Sequence, residues 1–303
     1  MIHSSVLETI GNTPLVELGQ VTKECHARVI AKLEYLNPGG SVKDRIGLAM
    51  VLAAEQAGEI SRGDTIVEAT AGNTGVALAM VAAVRGYHCV FVMPEKMSGA
   101  KAALLEAYGA EVIRTPDAPP SSPKNFRQVA RRLAREKNWF LPDQFSHASN
   151  PQVHYDTTGP EIWRDAQGQV DALVVGVGTG GTLTGAGRYL KEQDPNRQGS
   201  VADPIGSTLG GGRDGPYRIE GIGGSEHPDN YDSNLVDEIY YVSDEDAFSC
   251  CHRLASEEGL LVGGASGCGA VAAMRWASKP SNQGKTAVVI FQDTGRNYLT
   301  LPT

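Results

Sequence analysis

A repeating order of apolar strand, glycine-rich turn and helix most constrains how this chain can fold. In the first half, the helix pattern Gly75–Arg85 lies between two apolar runs, Thr65–Ala69 and Cys89–Met93. The second half repeats this order, from the apolar run Ala172–Val177 to a late one at Thr286–Phe291. Strands that are apolar along their whole length are typical of parallel sheets covered by helices on both faces. We therefore predict an α/β fold with two open, twisted, mostly parallel sheets and flanking helices.

One long segment interrupts this order. Residues 194–215 are rich in Gly, Asp and Pro, which are residues that favour turns over regular elements. We predict that this segment is a long surface loop. The 303 residues of the chain are otherwise enough for two α/β domains.

The overall composition excludes several classes of protein. The net charge of −8 and the pI of about 5.4 disfavour binding to nucleic acid. No apolar run approaches the roughly 18 residues that a membrane span needs, and the N-terminus lacks the pattern of a secretory signal. The five cysteines are an odd number without zinc-ligand spacing. We therefore expect a cytoplasmic protein with reduced thiols, no metal site, and no nucleic-acid or membrane partner.

The stretch Asn37–Arg45 contains the first candidate for covalent chemistry. Its Asn-Pro and Gly-Gly pairs predict a turn, and Ser41 is predicted to cap the helix that continues through Ile46. Lys43 would then lie in the first helical turn, where the helix dipole disfavours a positive charge. Such a position suits a lysine that is neutral or bound to a carbonyl as an imine. The alternative interpretation is a solvated lysine at a helix start.

Two glycine loops each follow a predicted strand and precede a predicted helix: Thr70–Gly75 and Gly178–Thr182. Backbone N–H groups at a helix start, together with threonine hydroxyls, favour a bound carboxylate or phosphate. The second loop lacks the lysine of a Walker loop and the last glycine of a dinucleotide motif. It therefore fits a compact cofactor with one phosphate better than a nucleotide. For the first loop, a tight connecting turn is the alternative.

A third glycine loop, Gly263–Gly269, has Ser266 as its only hydroxyl. That hydroxyl could cap the next helix or meet a ring nitrogen. A reactive lysine, a phosphate-binding loop and a neutral hydroxyl together indicate a site for pyridoxal phosphate. A serine beside the pyridine nitrogen leaves the ring neutral, which favours expulsion of a β-substituent over a long-lived carbanion.

Four motifs, taken together and in this order, resemble the β-family of pyridoxal-phosphate enzymes (fold type II), which contains the cysteine synthases and cystathionine β-synthases. The resemblance covers nearly the whole chain, from about Leu7 to Leu299. The motifs are Gly39–Arg45, Ala71–Gly75, Gly178–Thr182 and Glu220–Gly223. We expect an active site in the cleft between two domains, and the family resemblance implies a homodimer. Residues 40–145 would form the smaller domain with the substrate-carboxylate loop, and residues 1–39 plus 146–303 the larger domain with the phosphate-binding loop.

The resemblance implies a role for each matching residue. Lys43 would carry the cofactor as a Schiff base and act as the base at Cα. Asn73 would bind the 3′-oxygen of the cofactor, and Ser266 would face its pyridine nitrogen. The cofactor phosphate would be bound by Gly178, Thr179, Gly180, Gly181 and Thr182. The substrates would be bound by Thr70, Ala71, Gly72, Thr74, Gln144, Glu220 and Gly221.

Two positions depart from the family pattern. Ala71 replaces the usual serine of the substrate loop, so one hydroxyl is lost while the backbone N–H remains. Ala265 stands where the third loop usually has a serine. The partner of the pyridine nitrogen would then shift to Ser266 or be a water molecule.

Other segments resemble different members of the family. Glu220 and Arg296-Asn297-Tyr298 resemble the catalytic core of cystathionine β-synthase without its regulatory domain, whereas Gln144-Phe145 and Thr158–Trp163 resemble cysteine synthase. We prefer β-replacement on serine through an aminoacrylate with homocysteine as acceptor, because Glu220 could receive the amino group of homocysteine. The alternative is cysteine synthesis from O-acetylserine and sulfide. A serine or threonine dehydratase and a non-catalytic binding partner are less favoured.

Overall fold

The structure is a computed structural model that describes residues 2–70, 72–95, 97, 99–119 and 121–299. Its strands are β1 (Leu15–Glu17), β2 (Arg28–Leu33), β3 (Thr65–Ala69), β4 (His88–Pro94), β5 (Glu111–Thr115), β6 (Ala172–Gly176), β7 (Gln198–Pro204), β8 (Glu238–Val242) and β9 (Thr286–Phe291). Its α-helices are α1 (Lys43–Ala57), α2 (Asn73–Arg85), α3 (Gly99–Ala107), α4 (Phe126–Lys137), α5 (Ser149–Val153), α6 (Gly159–Asp165), α7 (Gly181–Gln193), α8 (Asp244–Glu258) and α9 (Gly264–Ala277).

The chain divides into two compact units, of which the smaller comprises Met1–Ile10 and Lys43–Ser149. Its sheet is parallel, in the order β3-β4-β5. The valines of β3 and β4 pack under α4 around the buried Ala130. The two helices that carry predicted site residues, α1 and α2, cross at Gly47, where a Cβ would lie 2.8 Å from the Cβ of Ala77. Glycine at this position therefore permits the close crossing.

The larger unit comprises Gly11–Val42 and Asn150–Thr303. Its sheet has the order β1-β2-β9-β6-β7-β8, in which β1 pairs antiparallel with β2 and the other pairs are parallel. α8 and α9 contribute to the core on one face, where Trp276 is fully buried. α6 and α7 contribute to the core on the other face. Burial on both faces explains why β6 and β9 are apolar throughout.

These two sheets confirm the predicted α/β class with mostly parallel sheets. The prediction of a surface loop at 194–215 is wrong, because β7 lies within it and pairs with β6 and β8. Its sequence, Gln-Gly-Ser-Val-Ala-Asp-Pro, is too polar to predict a buried strand. Gly199 is required there because a Cβ would lie 2.0 Å from the carbonyl oxygen of Leu235. Within the described residues, no helix is long and apolar enough to cross a membrane.

Candidate functional site

Three neighbouring strands of the larger sheet, β2, β9 and β6, end at one edge because they run parallel. In open parallel sheets, ligands bind at this carboxyl edge. β2 leads to the segment Asn37–Val42, which we call the lysine loop because Lys43 follows it directly. β6 leads to Gly178–Thr182, which we call the GTGGT loop. β9 leads to Gln292–Thr294, which we call the β9 end, and this segment lies between the two loops.

The β9 end fixes the backbone of the lysine loop. The N–H of Val42 donates to the carbonyl oxygen of Gln292 at 2.8 Å, and the N–H of Thr294 donates to that of Gly40 at 3.0 Å. Between these bonds, Ser41 forms a β-bridge with Asp293. Ser41 thus pairs as in a strand two residues before α1, which begins at Lys43. Its side-chain cap of the helix stays a prediction.

Buried side chains hold the start of the lysine loop. Asn37 accepts a hydrogen bond from the N–H of Gly11 at 2.8 Å and donates one to a carboxylate oxygen of Glu34 at 3.0 Å. The other carboxylate oxygen of Glu34 accepts from the hydroxyl of Thr13 at 2.6 Å. Because a buried carboxylate is costly unless it is hydrogen-bonded, this network specifies one loop conformation.

Gln292 joins the lysine loop to the GTGGT loop within the larger unit. Its backbone oxygen accepts from Val42, while its side-chain amide donates to the carbonyl oxygen of Gly176 at the end of β6. The residue before Lys43 and the strand before the GTGGT loop are thus bonded to one residue. Only its position after a predicted strand could have pointed to Gln292 from the sequence.

Lys43 and Asn73 begin the two helices of the smaller unit that cross each other. Each is the first residue of its helix, α1 or α2. Each lies four residues before the crossing of Gly47 with Ala77, which is about 6 Å along a helix axis. Lys43 is half-buried. Two of the predicted cofactor-binding residues thus each begin a helix about one turn from this crossing.

The predicted substrate loop starts α2 in the smaller unit. Gly72 is its N-cap residue and offers no side-chain cap, so the first N–H groups of α2 point out of the helix. The hydroxyl of Thr74 donates to the amide oxygen of Gln144 at 2.6 Å, and the hydroxyl of Thr70 accepts from the N–H of Gly72 at 3.2 Å. Ala71, for which a backbone contact to substrate is predicted, lies outside the described residues.

A buried acid lies immediately before this loop. Glu68, the fourth residue of β3, is 4% exposed. Burial, with a smaller contribution from the charge of Asp143, raises the pKa of Glu68 to about 7. One carboxylate oxygen accepts from the N–H of Ala69 at 2.9 Å, and the other has no hydrogen-bond partner among the described residues. Sequence analysis missed this residue, since a single acid in a strand pattern carries no signal of its own.

The glycines of the GTGGT loop let neighbouring atoms approach its backbone closely. Gly180 has φ +83° and provides no side-chain cap for α7. A Cβ at Gly178 would lie 2.3 Å from the carbonyl oxygen of Gly221, and a Cβ at Gly181 would lie 1.8 Å from the Oδ1 of Asn150. The exposed N–H groups at a helix start, surrounded by glycines, form a site that suits an anion.

Two residues that sequence analysis did not single out hold the hydroxyls of this loop. The Nδ2 of Asn150 donates to the Oγ1 of Thr179 at 3.0 Å. The Nε2 of His154 lies 3.1 Å from the Oγ1 of Thr182. Both side chains are at most 1% exposed. The only sequence signal is that His154 begins a polar segment, His-Tyr-Asp-Thr-Thr, within an otherwise helical region.

Ser266 lies fully buried in the first turn of α9. The predicted loop before this helix is therefore wrong, because α9 begins at Gly264 and Ser266 does not cap it. Its Oγ is 3.5 Å from the Oδ1 of Asp293 and accepts from the backbone N–H of Asp293 at 3.4 Å. Ala265 is also buried and offers no polar side chain. The third glycine loop is therefore also bonded to the β9 end.

The segment with Glu220 packs beside the GTGGT loop. Gly221 has φ +84°, and its carbonyl oxygen lies where a Cβ of Gly178 would be. The N–H of Gly223 donates to the carbonyl oxygen of Val177 at 2.8 Å. Glu220 itself is half-buried. The backbone that follows Glu220 thus contacts the GTGGT loop, and a role of the Glu220 carboxylate stays a prediction.

All five cysteines are free thiols, and burial keeps four of them protonated. Burial raises the pKa of Cys89, Cys250 and Cys251 to about 12, and it also raises the pKa of Cys268. No group of His, Cys, Asp and Glu among the described residues could hold a metal ion. The sulfur chemistry of the chain itself is therefore suppressed.

Comparison with known proteins extends these observations. A family model described as "Pyridoxal-phosphate dependent enzyme" matches residues 6–293. Cysteine synthase 3 of Caenorhabditis elegans is 46% identical over 97% of this chain and 87% of its own length. A cysteine synthase of Staphylococcus aureus is 44% identical over 98% of this chain and 96% of its own. The crystal structure of an O-acetylserine dependent cystathionine β-synthase from Helicobacter pylori is 39% identical, with a TM-score of 0.92 over 100% of this chain and 99% of that one.

Proposed function

Because the chain belongs to the pyridoxal-phosphate dependent enzymes and is of the cysteine-synthase type, we propose that it makes cysteine from O-acetyl-L-serine and sulfide by β-replacement. This ranks above the cystathionine synthesis that the sequence motifs favoured, since two relatives with 46% and 44% identity are cysteine synthases. The observation that carries the proposal is the bonding of one residue, Gln292, both to the lysine loop and to the end of β6, the strand that leads into the GTGGT loop.

The residues present fit the cofactor. A phosphate monoester needs several hydrogen-bond donors close to the backbone. The GTGGT loop offers backbone N–H groups and two threonine hydroxyls. Its glycines lie so close to Gly221 and Asn150 that no side chain would fit there. Lys43 offers the amine that would hold the aldehyde, and Asn73 would bind the 3′-oxygen. Ser266 offers a neutral hydroxyl for the ring nitrogen. When bound, pyridoxal phosphate supplies an electron sink for the bond broken at Cα.

The residues of the smaller unit would bind and orient the amino acid. Its carboxylate would be held by the backbone N–H of Asn73 at the start of α2 and by the side chains of Thr70, Thr74 and Gln144. The N–H of Gly72 would orient the Thr70 hydroxyl, to which it donates. The bond from Thr74 fixes the orientation of the Gln144 amide. Lys43, whose helix crosses α2 nearby, would then take the proton from Cα.

A second candidate acceptor is homocysteine, which would make the product cystathionine. The half-buried Glu220 beside Gly221 favours it, because a carboxylate can pair with the ammonium group that homocysteine carries and sulfide lacks. The solved relative from Helicobacter pylori, named as an O-acetylserine dependent cystathionine β-synthase, supports the same candidate.

Steady-state kinetics test the proposal with serine and O-acetylserine, each combined with sulfide and with homocysteine. We expect the highest kcat/KM for O-acetylserine with sulfide. Activity confined to the homocysteine reactions would contradict cysteine synthesis and support the second candidate. Glu220→Gln should lower kcat/KM for homocysteine by roughly tenfold and leave sulfide unaffected, since one exposed or half-buried charge pair contributes about 1 kcal/mol.

Two further outcomes identify the less favoured functions. Formation of pyruvate from serine without any thiol would indicate a dehydratase. Purified protein without the visible absorbance of bound cofactor would indicate a non-catalytic binding role. The cytoplasmic location and the homodimer remain predictions, and the dimer is tested by sedimentation of the purified chain.

A further inference from the structure

A π-helical turn, His154–Thr158, connects α5 to α6 behind the GTGGT loop. Such turns are rare and occur frequently at functional sites. The turn lies against α7 because Gly185 has no side chain: a Cβ there would lie 2.0 Å from the carbonyl oxygen of Pro151 and 2.7 Å from the Cβ of His154. The close approach brings the ring of His154 to the first turn of α7.

The ring of His154 connects two threonine hydroxyls. Its Nδ1 lies 2.9 Å from the Oγ1 of Thr158, and its Nε2 lies 3.1 Å from the Oγ1 of Thr182. All three side chains are buried. A neutral imidazole has one donor and one acceptor nitrogen, so both bonds must run in the same direction along this chain. Either Thr158 or Thr182 gives its proton to the ring.

The neighbouring hydroxyl shows which direction suits an anion. Asn150 donates from its Nδ2 to Thr179, so the Oγ1 of Thr179 already accepts a hydrogen bond and its own proton is directed elsewhere. A bound phosphate accepts hydrogen bonds, and it therefore needs Thr182 to donate as well. The hydroxyl of Thr182 is able to donate to a phosphate when it accepts a hydrogen bond from the Nε2–H of His154.

On the basis of the proposed function, we propose that His154 is a positioning residue for the cofactor phosphate. The hydroxyl of Thr158 donates to Nδ1, the Nε2–H donates to Thr182, and the hydroxyl of Thr182 donates to the phosphate. Binding of the phosphate thereby selects the tautomer with the proton on Nε2. No bond to carbon or phosphorus changes, and no proton is gained or lost.

Nitrogen-15 NMR of the full-length holoenzyme tests the tautomer directly. The ring signals of His154 are assigned by their absence in His154→Gln. We expect the proton on Nε2 with cofactor bound, and the same spectrum after inorganic phosphate is added to the apoenzyme. A proton on Nδ1 in the holoenzyme would overturn the proposal, and this measurement needs no destabilising variant.

Cofactor affinity gives a second test with a matched pair of variants. The amide nitrogen of His154→Gln can reach the position of Nε2 and donate to Thr182, whereas the shorter His154→Asn reaches only the position of Nδ1. We expect the dissociation constant of pyridoxal phosphate to rise roughly 10- to 100-fold in His154→Asn and to stay within about threefold in His154→Gln. Equal constants for the two variants would contradict the proposal.

The variant Thr182→Val separates a positioning role from a structural one. If His154 acts through Thr182, adding His154→Asn to Thr182→Val should not weaken cofactor binding further. Additive losses would show that the ring acts only on the fold. Failure of the wild-type chain to bind pyridoxal phosphate at all would instead refute the proposed function, so the two failures are distinguishable.

Discussion

The two helix-start loops of this chain use the same backbone device in opposite ways. In the GTGGT loop, both hydroxyls are hydrogen-bonded from behind by buried side chains, and a Cβ at Gly178 or Gly181 would collide with neighbouring atoms. In the loop before α2, Gly72 is exposed with nothing within 4 Å of a Cβ, and it caps its helix without a side chain. The GTGGT loop is therefore preorganised by its neighbours, whereas the loop before α2 has open space at Gly72 among the described residues.

This difference matches what each loop is proposed to hold. A cofactor phosphate stays bound through many turnovers, so a preorganised site lowers the cost of binding it. An amino-acid carboxylate enters and leaves in each turnover, so its loop needs room. Five variants, in four tests, would break or sharpen this comparison.

Lys43→Ala should have the largest effect, because Lys43 has two proposed roles. It would hold the cofactor of the GTGGT loop, and it would remove the Cα proton of the substrate bound by the loop before α2. We expect kcat to fall at least roughly 10³-fold, with loss of the visible absorbance of the bound cofactor. Lys137→Ala, at the exposed end of α4, is the control and should retain activity. Substantial activity in Lys43→Ala would refute the assignment.

Glu68→Gln should have the next largest effect, and it should appear as pH-dependent stability of the smaller unit. The pKa of Glu68 is raised to about 7 by burial, so its proton stabilises the fold below the unfolded value of 4.5, and that stability is lost as the pH rises through about 7. Relative to the wild type, Glu68→Gln should therefore gain up to about 3 kcal/mol in free energy of unfolding at pH 8 and almost nothing near pH 5.

Urea unfolding at both pH values measures this difference. The control is Glu106→Gln, since Glu106 is exposed on α3 and should give the same small change at each pH. A loss of stability in Glu68→Gln at pH 8 would show that the charged form is the favoured one.

Gly178→Ala and Gly72→Ala compare the cost of an added Cβ in the GTGGT loop and in the loop before α2. The added Cβ at Gly178 would lie 2.3 Å from the carbonyl oxygen of Gly221, so we expect a loss of about 1–3 kcal/mol in free energy of unfolding and weaker cofactor binding. The same change at Gly72 meets nothing within 4 Å and should leave stability within about 0.5 kcal/mol. Thermal unfolding measures the stability of both variants. Equal losses of stability would contradict the difference between the two loops.

Gln144→Ala should have the smallest effect and should separate the two ligands. It removes a proposed contact to the substrate carboxylate and the partner of Thr74, so KM for O-acetylserine should rise roughly tenfold. The dissociation constant of the cofactor should not change. Gln56→Ala, exposed on α1, is the control. A cofactor affinity that falls together with substrate affinity would show that the loops are not independent.

The sequence was sufficient where local pattern decides the structure. β4 and β9 are apolar throughout, and the glycine loops after β3 and β6 stand where strands end. It was insufficient where distant contacts decide. β7 has a glycine at position 199 because the carbonyl oxygen of Leu235 leaves no room for a side chain there. Its composition therefore resembles that of a loop.

The same reason explains which site residues could be found. Lys43 and the GTGGT loop have a local pattern of glycines and a helix start. Asn150, His154 and Gln292 are ordinary polar residues whose roles depend on partners 29, 28 and 116 positions away, respectively. Only the folded sheet, which brings the ends of β6 and β9 together, identifies them.

The suppressed acidity of the chain's own thiols has a practical consequence for these assays. A thiol-reactive dye reacts with thiolates. With pKa values raised to about 12 at Cys89, Cys250 and Cys251, and raised also at Cys268, these residues contribute almost no colour at pH 8. The half-exposed Cys25 is then the main protein background, at one equivalent per chain. Consumption of homocysteine, whose product cystathionine carries no thiol, can therefore be followed by adding the dye to samples taken during the reaction, with only this small protein background to subtract.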